Sequence, residues 1–249
     1  MPLPFNFDWT VMMTHLSIRP CAFPVPSRVI PVRVAVAAVA LIAGATLSAS
    51  PVNADRLAGA ALAQKGSKGV PACMACHGPN GEGQTASGFP RLAGQPEAYL
   101  LKQLQAFATG QRKNPQMMPI AGALDAQQMR DAAGYYASLP GWQPQGNTHA
   151  PTPQYELGRR LATAGNWSKE VPACFACHGP GGAGVPPHFP ALAGQPSAYT
   201  RSQMKAWQTA TRTNDPQGLM QSVAEKMTDA EFDAVSLYLE NPSLDGKGN

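Results

Sequence analysis

The segment Val70-Pro71-Ala72-Cys73-Met74-Ala75-Cys76-His77-Gly78-Pro79 returns as Val171-Pro172-Ala173-Cys174-Phe175-Ala176-Cys177-His178-Gly179-Pro180. Each copy holds Cys-x-x-Cys-His, the attachment signature of c-type haem. Two thiols at this spacing can reach the two vinyl groups on one porphyrin edge. The next residue, histidine, then lies beneath the ring and can ligate iron from one side. A zinc half-site is the rival for such a motif, but neither Cys pair has a second pair at ribbon spacing nearby. Matching frames therefore predict two covalent haems, attached through Cys73, Cys76, Cys174 and Cys177, with His77 and His178 as axial ligands to iron.

The repeat runs well beyond the motifs. Phe89-Pro90-Arg91-Leu92-Ala93-Gly94-Gln95-Pro96-Glu97-Ala98-Tyr99 matches Phe189-Pro190-Ala191-Leu192-Ala193-Gly194-Gln195-Pro196-Ser197-Ala198-Tyr199. Gln103, Arg112 and Asn114 answer to Gln203, Arg212 and Asn214. Each module spans about 85 residues, small for a self-sufficient core. The expected organisation is a leader over 1–54, a first module over 55–140, a Pro- and Gly-rich linker over 141–153, a second module over 154–241 and a tail over 242–249.

Within the 249 residues, charged side chains are 14%, hydrophobic ones 44% and aromatics only 7%. That composition excludes a disordered chain, and a buried porphyrin would supply apolar surface that the side chains do not. Near the N-terminus, Arg28 and Arg33 precede a fourteen-residue apolar run, Val34 to Leu47, short for a membrane span. Val52-Asn53-Ala54 fits a small-x-Ala cleavage site, with Ala49 as the alternative. The reading is a cleavable export signal whose true start lies at Met1, Met12 or Met13; its rival is a retained N-terminal anchor. Cys21 falls in this leader. Export also agrees with the motif, since haem is attached on the outer side of the bacterial inner membrane. Removing the leader leaves a net charge of +2 with no basic cluster, which argues against nucleic acid.

The periodicity predicts helices and no strand. Arg56–Gln64 and Tyr155–Thr163 lead into the two motifs, and Pro96 and Pro196 suit the first turn of another pair. Leu100, Leu104 and Phe107 fall at helical spacing in the first copy, Met204 and Trp207 in the second. Asp125 with Gln128, and Thr228 with Glu231, read as capping boxes opening the last helix of each module. Met129, Ala132, Ala133 and Tyr136 then form one apolar stripe, and Phe232, Val235 and Leu239 the other.

A sixth iron ligand is sought among the methionines, because thioether ligation raises the potential. Met117 lies eight residues before Asp125 and Met220 eight before Thr228. This matched position selects Met117 and Met220, with Met118 as runner-up. The remaining methionines read as core filler. His149 falls in the linker, and His188 has no counterpart in the first module.

With these residues in place, the chain resembles the cytochrome c4 family. The resemblance is carried by both Cys-x-x-Cys-His motifs, both Phe-Pro-x-Leu-Ala-Gly-Gln stretches, and Met117 and Met220, over about residues 56–241. It implies an all-α fold of two tandem class I cytochrome c domains, each wrapped around one covalent haem with His and Met axial. It also implies that the carbonyls of Pro90 and Pro190 accept hydrogen bonds from His77 and His178. One departure is a longer stretch between Arg212 and Met220 than between Arg112 and Met117.

Filled axial positions leave no site for substrate, so the expectation is an electron carrier rather than an enzyme. The resemblance implies a periplasmic shuttle whose partners are redox proteins: a respiratory complex or dehydrogenase as donor and a terminal oxidase as acceptor. Peripheral association with the membrane is compatible with that role. The rivals are a cytochrome subunit of a periplasmic dehydrogenase complex, a dihaem peroxidase and a thiosulfate-oxidising cytochrome. Charge divides between the modules, +3 over 55–140 and −1 over 154–249, with acids gathered at Asp229, Glu231, Asp233 and Glu240. Two readings fit that grouping: a solvated helix start, where acids suit the dipole, or faces of opposite sign offered to donor and acceptor.

Overall fold

The computed structural model describes residues 54–144 and 152–243. The expected leader, apart from Ala54, lies outside them, as do Cys21, His149 and most of the expected tail. The first module comprises α1 (Arg56–Lys65), α2 (Met74–His77), α3 (Glu97–Ala108), α4 (Met117–Gly122) and α5 (Ala126–Ser138). The second repeats the order with α6 (Pro153–Thr163), α7 (Cys174–His178), α8 (Ser197–Gln208), α9 (Leu219–Glu225) and α10 (Asp229–Glu240). Strand pairing among the described residues is limited to isolated bridges.

Side-chain caps start the principal helices where the composition asks for them. Asp55 accepts from the amides of Leu57 and Ala58 at 2.9 and 3.2 Å. Both capping boxes form in full, Asp125 with Gln128 and Thr228 with Glu231. α6 begins two residues before the expected Tyr155, because the Thr152 hydroxyl caps the Tyr155 amide and Pro153 needs no partner for its nitrogen. Pro96 and Pro196 stand one residue earlier than expected, as the N-caps of α3 and α8.

In each module the first helix crosses the last, α1 on α5 and α6 on α10. The crossings close on glycine: a Cβ at Gly59 would lie 2.1 Å from the Asp131 carbonyl oxygen, and one at Gly158 2.0 Å from that of Ala234. Only glycine permits backbones to approach this closely. The stripes expected on the last helices are buried there, Met129, Ala132, Ala133 and Tyr136 on α5 and Phe232, Val235 and Leu239 on α10. Leu161, Val171, Phe232 and Tyr238 are fully buried in the second module, worth about 1.5–3 kcal/mol for each large apolar side chain. The first module has two smaller clusters instead, one around Leu62, Val70 and Met129, the other around Leu100, Ala133 and Tyr136.

The modules meet through the residues that the repeat duplicates. The Gln95 side chain donates to the Ala191 carbonyl and accepts from the Ala191 amide, both at 2.9 Å. Gln195 does the same to Arg91, at 2.9 and 3.1 Å. Arg112 donates to Tyr199 and Gln203 at 2.8 and 2.6 Å; Arg212 donates to Tyr99 and Gln103 at 3.2 and 3.0 Å. Between them a short antiparallel bridge joins Lys113 N to Thr211 O and Thr213 N to Gln111 O, each at 2.9 Å. Residue i meeting j while j meets i is the pattern of a two-fold isologous contact, here built within one chain.

Both arginines are buried, and no carboxylate pairs with either among the described residues. Aromatic faces take part of the charge: Arg112 lies 4.5 Å from the Phe107 ring centre and Arg212 4.0 Å from that of Trp207. Burial, reinforced by Arg112, holds the Arg212 guanidinium below its ordinary value. Burial alone would raise the Tyr99 hydroxyl, but the Arg212 and Arg112 charges outweigh it and hold it low.

Candidate functional site

Each Cys-x-x-Cys-His motif folds into one helical turn, α2 or α7, ending on its histidine. The four motif cysteines form no disulfide. Burial pushes the Cys174 thiol up to about 11 and raises that of Cys73 as well.

Past the motif the chain reverses and returns beneath the histidine. Gly83 N donates to His77 O at 2.8 Å, and Gly184 N to His178 O at 2.7 Å. At these glycines φ is +85° and +87°, and a Cβ would come within 2.7 Å of the Arg91 or Ala191 amide nitrogen. Glycine thus lets the Phe-Pro stretch lie against the turn. Phe89 and Phe189 then pack edge-on to His77 and His178, with ring centres 6.2 and 5.9 Å apart.

The imidazoles are fixed from behind. His77 Nδ1 lies 2.8 Å from Pro90 O, and His178 Nδ1 2.8 Å from Pro190 O, as the family resemblance implied. A carbonyl only accepts, so each Nδ1 carries the proton and Nε2 carries the lone pair. Burial lowers both histidines against the opposing pull of the proline carbonyl. Both rings are therefore neutral at neutral pH, the form that ligates metal. Nε2 of neither ring makes a hydrogen bond within the described residues.

Met117 and Met220 occupy corresponding places, at the start of α4 and α9. Met117 is half-buried whereas Met118 is exposed; Met220 packs against the second core whereas its neighbour Leu219 is exposed. Met117 and Met220 are thus the less exposed member of each pair. The longer distal stretch of the second module forms a turn over Pro216–Gly218, with Gln217 and Gly218 at φ +57° and +66°. It redistributes the capping. Asn114 accepts from Met117 N at 2.8 Å, while its counterpart Asn214 donates to Gln103 across the interface at 2.8 Å. Asp215 takes over, accepting from Gln221 N at 3.0 Å. His188 is exposed, consistent with its having no matching partner.

This donor set fits a covalently held haem in each module. The cysteines form no disulfide, the imidazoles are neutral and oriented, and a half-buried methionine stands at the start of α4 and of α9. Trp207 Nε1 is in addition buried with no acceptor among the described residues.

The chain matches the cytochrome c family over residues 58–140 and again over 155–243. It belongs to that family. Among curated relatives it is 49% identical to the thiosulfate dehydrogenase electron acceptor of Thiomonas intermedia, over 67% of this chain and 76% of that one. It is 40% identical to cytochrome c4 of Thiocapsa roseopersicina, over 79% and 97%. Of solved structures, Pseudomonas stutzeri cytochrome c4 aligns with a TM-score of 0.66 at 34% identity, over 76% of this chain and 98% of that one. Thiosulfate dehydrogenase from Marichromatium purpuratum aligns with a TM-score of 0.70 at 38% identity, over 78% of this chain. The present chain spans 42% of that longer one. This cytochrome is accordingly all-α, with two tandem cytochrome c domains and two covalent haem c groups, and it is an electron-transfer protein of the c4 kind rather than an enzyme. No helix among the described residues is long and apolar enough to cross a membrane.

In the sequence, Gln95, Tyr99, Gln103 and Arg112 and their counterparts show only as repeated positions, yet polar residues duplicated away from the haem motif are themselves the signal of a self-complementary contact.

Proposed function

We propose that this cytochrome is a periplasmic electron acceptor for a dehydrogenase that oxidises a reduced-sulfur anion of the thiosulfate class, passing electrons on towards a terminal oxidase. In this reading Cys73 and Cys76 hold one haem, and Cys174 and Cys177 the other. His77 with Met117, and His178 with Met220, are the axial pairs. The bound haem supplies one-electron exchange between Fe(III) and Fe(II). The protein's part is to orient and to tune. Pro90 and Pro190 hold each Nδ1 proton and so aim Nε2, while Met117 and Met220 offer soft neutral ligands that favour the reduced state.

The observation that carries the reading is the pair of matched 2.8 Å histidine–proline bonds on buried rings, one per module. The choice of donor follows the names of two of the curated relatives, both thiosulfate dehydrogenase electron acceptors. Mixing the oxidised protein with a thiosulfate dehydrogenase and thiosulfate tests it. Reduction of both haems within the enzyme's turnover supports the reading. A cytochrome that stays oxidised there, yet is reduced by a membrane quinol-oxidising complex, returns the role to a general respiratory shuttle.

A further inference from the structure

One peptide group in each module makes two bonds of different origin. The Pro90–Arg91 peptide accepts from His77 Nδ1 through its oxygen, at 2.8 Å, and donates through its N–H to Gln195 Oε1, at 3.1 Å. Gln195 belongs to the other module. The Pro190–Ala191 peptide mirrors it, accepting from His178 at 2.8 Å and donating to Gln95 Oε1 at 2.9 Å. Both glutamines are buried, 3% and 6% exposed, so water does not compete for these bonds.

We propose that Gln95 and Gln195 are positioning residues that tune the histidine of the opposite module. The inference rests on His77 and His178 being the axial ligands. Hydrogen bonds in series polarise one another. An acceptor on the peptide N–H shifts electron density onto its carbonyl oxygen, which then draws harder on Nδ1–H. The imidazole gains anionic character, binds Fe(III) more strongly and lowers the potential of its own haem. Each amide N–H of the glutamine also bonds the following carbonyl, Arg91 O or Ala191 O, at 2.9 Å, which holds the peptide in register. The wiring is crossed: loss of Gln195 acts on the first haem, loss of Gln95 on the second.

The test uses the full dihaem protein. Gln195→Met removes both amide bonds at similar volume, and Gln95→Met is its mirror. Potentials are measured for each haem, and the hyperfine-shifted Nδ1–H resonances of His77 and His178 are followed by NMR. Gln195→Met is expected to raise the first haem's potential more than the second's and to move the His77 resonance while leaving that of His178. Gln95→Met should reverse the pattern. Gln195→Glu, which keeps an oxygen facing Arg91 N–H, should bring the His77 resonance back towards wild type. Tyr99→Phe removes an interface bond without touching either peptide. If it reproduces the Gln195→Met pattern, or if Gln195→Met moves His178 or neither histidine, the crossed tuning is wrong while the axial ligands stand. Absence of shifted Nδ1–H resonances in the wild type would remove the ligand assignment and the proposal together.

Discussion

Lys169 reaches Glu231 at 2.9 Å and so ties the turn before the second haem motif to the capping box of α10. Burial alone would raise this carboxyl, but the Thr228 amide and hydroxyl and the Lys169 ammonium outweigh it and hold it below the usual range. A carboxyl depressed on folding contributes stability that is present above its unfolded value, near 4.5, and is lost as pH falls through its folded value. The first module has Gln128 at this place, which does not titrate.

Acid should therefore weaken the second module through this contact as pH drops below about 4.5. Glu231→Gln should keep the box, lose the ion pair and flatten that part of the pH dependence. Its cost near neutrality should be about 1 kcal/mol, the scale of a cap or a half-exposed pair. Thermal unfolding from pH 6 to 3 checks it; identical pH slopes for wild type and variant would refute it.

The helix crossings make a second prediction. Gly158→Ala should destabilise the second module by about 3 kcal/mol, the upper end for overpacking, because the obstacle is backbone. The gain in helix propensity of ~1 kcal/mol does not compensate. Gly59→Ala should do the same to the first module. Denaturant unfolding followed at each haem separates the two.

Charge on the surface divides the modules differently from what the sequence implies. Asp229 pairs with Lys205 at 2.9 Å, Asp233 with Arg201, and Glu231 with Lys169. The acidic grouping is thus largely answered within its own module. All ion pairs among the described residues lie in the second module; in the first, Arg91, Arg112 and Asp131 are buried, which leaves six Lys or Arg against four Asp or Glu facing solvent. A negatively charged redox partner should then react through the first module. Lys102→Glu and Lys113→Glu should slow stopped-flow transfer at low salt, and the difference should fade once screening shortens to about 10 Å at 0.1 M. Rates indifferent to both charge reversal and salt would leave only a solvated surface.

Helices with caps and stripes were legible because capping and burial are local or periodic, as Asp125 with Gln128 and the run from Met129 to Tyr136 illustrate. The short helices α4 and α9 were not. Pro119 and the insertion at Pro216–Gly218 break any readable period, and the capping of α4 depends on Asn114 outside it. The attachment motifs were legible from their spacing, and comparing the two copies singled out Met117 and Met220 as candidates. The pairing of Asp229, Glu231 and Asp233 did not, since their cations come from α8 and from the turn at Trp167–Lys169. The crossed glutamine contacts were invisible for a related reason: a sequence displays the duplication of a residue but not which copy it faces.

Two haems, each with a histidine and a methionine axial, should work as one-electron centres. Anaerobic reductive titration of the intact protein tests it most directly, with the weak far-red sulfur-to-iron band followed alongside. Two electrons should be taken up per chain as that band disappears. Met117→Ala and Met220→Ala should each remove half of it, and Met118→Ala none. Uptake of a single electron, or a band untouched by both substitutions, would contradict the account.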